Sequence, residues 1–162
     1  MNVVINPNEY IETRIYFTDK KANTHIANSI FNRITYSTND FIMNGIYIQF
    51  ELFIKQIDQN FNSNIYNCHF DPRHEHNHLM LTIFENIENS ILNKWIQLHH
   101  QVEPVSKSLP NCDIIQQLRS GVISIWKNNI TIYEKPQFQH FIIKISGVWE
   151  NDVGCGLTYK FI

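Results

Sequence analysis

Residues 41–57 read FIMNGIYIQFELFIKQI, the longest candidate strand of the chain. Ile42, Ile46, Ile48, Phe50, Leu52 and Ile54 share one parity, and Tyr47, Gln49, Glu51, Phe53 and Lys55 share the other. Successive side chains of a strand point to opposite faces, so the alternation predicts one buried face and one mostly wetted face. Asn44 and Gly45 interrupt the run. This pair readily takes the positive dihedrals of a two-residue turn, so the segment reads either as one long strand or as a hairpin corner.

Outward from this stretch, 11–17 and 65–70 read as short strands, the second ended by Asp71 and Pro72, while 22–34 is ambiguous. Ile87, Ile91, Trp95 and Leu98 recur at helical spacing, which predicts a helix over 84–98 with Ile83 entering its stripe. The polar, proline-containing segment 99–110 reads as a long connection. A short helix or turn at 113–119 is followed by strands at 122–126, 130–134, 139–146 and 157–161. The expected architecture is α+β and β-rich. One domain over 1–162 holds an antiparallel, strongly curved sheet or small barrel of five to seven strands, with one principal helix over an open end or face.

Composition bounds the function. The chain has 162 residues, 43% hydrophobic and 17% charged, with a net charge of −2. It holds ample core material, and bulk positive charge is excluded as a means of holding nucleic acid. Cys68, Cys112 and Cys155 form no CxxC pair, which predicts free thiols and a reducing compartment, cytoplasm or nucleus. No stretch approaches the length of an apolar membrane span, so no membrane partner is expected. Phosphate-cradling glycine loops and nucleophile elbows are missing from the sequence, and no enzyme activity is expected.

His69, His74, His76 and His78 crowd imidazoles beside Cys68. If 74–78 is extended, His74, His76 and His78 fall on one side as candidate ligands of a structural or adventitious divalent metal. The competing reading is a solvated His-rich loop, and no other cofactor is expected. The run from His76 to Ile83 is similar to the metal-binding strand of HUH endonucleases, which implies a metal-dependent nuclease. Two features depart from that family: Asn77 is polar where the family is hydrophobic, and the predicted helix carries no nucleophilic tyrosine.

The last third alternates rings and cations. Arg119, Trp126, Lys127, Tyr133, Lys135, Lys144, Trp149, Tyr159 and Lys160 are the candidate nucleic-acid contacts, because flat rings stack on unpaired bases and basic side chains track phosphates. The bland alternative is that the rings are core and the lysines solvate outer faces. The last stretch, 141–162, with the text IIKISGVWENDVGCGLTYKF, resembles the closing hairpin of small OB-fold-like single-stranded DNA-binding proteins of DNA viruses and virus-like mobile elements. The resemblance implies an OB-like barrel, a role in replication or recombination, self-association, and Lys144, Trp149, Tyr159 and Lys160 on the nucleic-acid face. A structural or interaction protein, such as a small virion component, is the alternative from another class.

Overall fold

The computed structural model describes residues 3–18, 20–24, 26–59, 64–100, 109–126 and 136–162. They form β1 (Ile15–Phe17), β2 (Lys21–Ala22), β3 (Ile30–Ser37), β4 (Ile42–Asn44), β5 (Ile46–Gln59), β6 (Ile65–Phe70), α1 (Glu75–His100), β7 (Leu109–Asn111), α2 (Asp113–Arg119), β8 (Val122–Trp126), β9 (Gln137–Glu150) and β10 (Gly154–Phe161). The α+β class stands, with one principal helix against a mostly antiparallel sheet. That sheet is open and curved rather than a closed barrel, and ten strands contribute to it instead of five to seven. Its main path is β1-β3-β9-β5-β6-β8, and β10 lies on the other side of β9. The strand expected at 130–134 lies outside the described residues.

Gly45 divides the 41–57 stretch. Before it, β4 pairs with β3, and after it β5 pairs with β9. Gly45 has φ +89°, and a Cβ there would sit 2.8 Å from the Ile145 carbonyl oxygen. The Asn44–Gly45 corner is therefore real, but it switches the chain between partner strands rather than closing a hairpin.

The 14-residue β9 organises the sheet. Residues 137–145 pair with β5, 143–150 with β10 and 147–150 with β3. Thr158 faces Gly147 and Tyr159 faces Ile145, so Ser146 is an extra residue. Such a bulge bends the strand and reverses its parity.

Every stretch of the second edge of β5 is occupied in turn. Ile5 exchanges two backbone bonds with residues 47 and 49, both at 2.9 Å, and β6 pairs with residues 54–59. Between them the first turn of α1 takes over. Asn77 is fully buried; its Oδ1 accepts from the Phe53 N–H at 2.7 Å, and its Nδ2 donates to the carbonyls of Phe53 (3.1 Å) and Asp71 (2.9 Å). The side-chain amide thus acts as a peptide group of an absent strand and leaves no edge group of Phe53 unpaired. His76 adds Nε2 at 3.1 Å from the Glu51 carbonyl oxygen.

From Asn77 the buried stripe of α1 continues through Leu81, Phe84, Ile87, Ile91, Leu92 and Trp95. The predicted helix begins nine residues too late because its first buried position is polar. In the core, Phe50 meets Phe84 at 4.9 Å, Phe141 at 5.8 Å and Phe161 at 6.0 Å between ring centres, joining β5, α1, β9 and β10. Burying each such ring contributes roughly 1.5–3 kcal/mol. Glu88, also fully buried, accepts from the N–H groups of Ile114 (3.0 Å) and Ile115 (2.9 Å) and so caps α2 from α1. Burial nonetheless holds its carboxyl above the usual range.

Candidate nucleic-acid interface

The face of β9 turned away from α1 carries the candidate site. Residues opposite one another in a ladder share a face, so the register assigns its rows. Lys21, Phe31, Trp149 and Gly156 form the first row, across β2, β3, β9 and β10. Arg33, Gly147 and Thr158 form the second. Tyr47, Lys144 and Lys160 form the third, across β5, β9 and β10. These ten positions hold four basic residues, three rings and no carboxylate.

The glycines set the attitude of the rings. A Cβ on Gly156 would lie 2.8 Å from Trp149 Cζ2 and 2.9 Å from its Nε1, and one on Gly147 would run into the Phe31 ring. Both rings therefore lie flat across a glycine of a neighbouring strand, one π-face on the sheet and the other turned outward. Trp149 and Phe31 are themselves cross-strand partners, so the two rings stand on neighbouring strands of the same face.

Beside these rings Lys144 and Lys160 stand directly opposite each other. Like charges in that position destabilise a strand pair, so the fold itself gains nothing from them. Lys144 places its Nζ 5.2 Å from the centre of the Tyr47 ring, which orients one of the two cations.

Three of the candidate residues read from the sequence, Lys144, Trp149 and Lys160, meet on this face. Tyr159 does not. It points inward, its hydroxyl 2.7 Å from Gln117 Oε1 and 3.1 Å from the Asp113 carbonyl oxygen, and burial pushes its phenol up to about 12. Neighbours in a strand face opposite ways, so Tyr159 does not join Lys160 on the outward face of the sheet. Arg119 sits on α2 and is paired with Glu85 at 2.7 Å. Trp126 is exposed at the end of β8, where it lines a cleft of about 320 Å³ with Tyr159 and Lys160. Lys127, Tyr133 and Lys135 lie outside the described residues. Lys21, Phe31, Arg33 and Tyr47 belong to the face and were not singled out in the sequence, because only strand pairing brings them there.

The metal reading changes with the helix. His76 and His78 lie in the first turn of α1 and His74 just before it, not on a strand. Residues two apart on a helix diverge by about 200°, so His76 and His78 cannot converge on one ion or reproduce the HUH metal strand. Among the described residues, no group of three or more His, Cys, Asp or Glu is placed to hold a metal ion. Asn77, which departs from the HUH pattern, is the residue the β5 edge requires. Cys68 and Cys155 are buried free thiols, pushed by burial up to about 12 and about 11. Among the described residues, no helix is long and apolar enough to cross a membrane.

No protein-family model, curated protein or solved structure matches this chain. The functional reading therefore rests on the chemistry of the site.

Proposed function

We propose that this protein binds single-stranded nucleic acid, without catalysis, on the outward face of β9. Bases stack on Trp149 and Phe31, and phosphates lie against Lys144, Lys160, Arg33 and Lys21. The observation that carries the reading is the pair of opposed lysines, unfavourable to the strand pair by itself, beside two rings laid over glycines. The net charge of −2 is no obstacle when the cations are concentrated in three adjacent rows. The resemblance in residues 141–162 implies the same activity.

Stacking contributes on the order of 1–3 kcal/mol per base, so Trp149→Ala should weaken binding by about tenfold or more. Four phosphate contacts give a slope near −3 in log affinity against log salt, at about 0.7 per contact for single strands. Anisotropy and tryptophan-fluorescence titrations with a mixed-sequence single strand, its duplex and the matching RNA test the reading at low and moderate salt. Single strands should bind with tryptophan quenching and the duplex more weakly. Absence of binding at low salt, or equal affinity in Trp149→Ala and in a Lys144→Glu/Lys160→Glu double variant, would refute it.

A further inference from the structure

We infer that the single-strand path does not end at Lys144 but continues along β9 to a second ring subsite centred on Phe138, an extension that rests on the binding face proposed above. Phe138, His140, Ile142 and Lys144 alternate along β9, opposite Phe53, Glu51, Gln49 and Tyr47 of β5, and therefore share the outward face. Phe138 is 48% exposed, high for a ring with so many neighbours. Its ring is braced edge to face by Phe53 at 5.2 Å and His76 at 5.0 Å. His74 in turn stacks on Phe53 at 4.6 Å and 10°. A ring fixed through its neighbours and still open to solvent offers a base a preformed stacking surface at little ordering cost.

The groups around the subsite are a carboxylate, two imidazoles and a paired lysine. The one carboxylate in the two rows between Lys144 and Phe138, Glu51, is bracketed by His140 Nε2 at 3.4 Å and His76 Nε2 at 3.7 Å. Beyond Phe53, Lys55 and Arg73 line a further hollow, where Lys55 is paired with Asp71 at 3.0 Å. From Trp149 to Phe138 the strand covers roughly 35 Å at about 3.3 Å per residue. That distance is on the order of ten stacked nucleotides at ~3.4 Å each, or about half as many if the strand is extended.

Oligothymidylates of four and ten nucleotides test this on the full chain. A ten-mer can sit on a four-nucleotide site in about seven registers, so a gain near sevenfold is only statistical. The second subsite predicts a further gain of about tenfold for the ten-mer. Phe138→Leu, which keeps apolar bulk and loses the ring, should abolish that further gain and leave four-mer affinity unchanged, while Phe138→Tyr should retain it. A ten-mer gain no greater than the statistical factor, or one indifferent to Phe138→Leu, overturns the extension and leaves binding at Trp149 standing. Failure of both oligonucleotides to bind overturns the extension together with the face on which it rests.

Discussion

Replacing Asn77 by leucine removes the amide that closes the β5 edge while keeping a side chain of similar size. The Phe53 N–H, the Phe53 carbonyl and the Asp71 carbonyl then lose bonds of 2.7, 3.1 and 2.9 Å at a fully buried position. A buried group left unpaired costs about 1–3 kcal/mol. Carbonyls with a second lone pair, and any water that enters, bring the sum for the three groups to about 4 kcal/mol. With a urea m-value near 2 kcal/mol/M, the unfolding midpoint of Asn77→Leu should fall by about 2 M. Asn77→Asp refines the argument. Its carboxylate still accepts from Phe53 N–H but faces two carbonyl oxygens, which raises its pKa in the folded state. The raised value means that protonation stabilises the fold, a contribution present at low pH and lost as pH rises through the folded pKa. The deficit of Asn77→Asp should therefore shrink between pH 7 and pH 4, whereas that of Asn77→Leu should not follow it. Urea titrations at both pH values measure both quantities. A midpoint for Asn77→Leu within about 0.3 M of the parent, or an Asn77→Asp deficit that grows on acidification, would refute the role of Asn77 as a surrogate strand.

Two further outcomes follow from the same structure. Burial raises the Glu88 carboxyl, so its proton contributes stability below the unfolded value near 4.5 that is lost as pH rises through the folded value; the stability of the parent relative to Glu88→Gln should fall from pH 4.5 to 7.5 in urea titrations, and the opposite slope would mean that the two N–H bonds outweigh burial. Gly45→Ala places a Cβ 2.8 Å from the Ile145 carbonyl oxygen at φ +89° and should lower stability by about 1–3 kcal/mol, read by thermal melting, with no loss if the chain does not switch partners there.

Much of the scaffold was legible because its signals are periodic. The apolar parity of 46–54 is the buried face of β5, and the apolar spacing from Phe84 onward is the buried stripe of α1. The signals that failed are those in which a polar residue is buried. Asn77 hides the start of α1, and Asn32, 1% exposed and donating to the Thr18 carbonyl at 2.9 Å, blurs the alternation of β3. In both places a backbone group elsewhere in the chain supplies the partner, and no local pattern announces it.

The candidate face divides in the same way. The sequence by itself placed Lys144 and Lys160 on strands, because alternation is a local property, but left Trp149 in the turn between them, whereas β9 runs on to Glu150. Its glycines at 147 and 156 were the one local sign of rings laid across neighbouring strands. Only the tertiary structure decided which side each residue faces. Lys144 and Trp149 are five residues apart and would point to opposite faces of a regular strand; the bulge at Ser146 turns them to the same one. Tyr159 goes inward to α2, and Phe31, Arg33, Lys21 and Tyr47 arrive from more than ninety residues away. Strand pairing is nonlocal, so the chain specifies the components of this face at each position but their neighbours only once the whole sheet has formed.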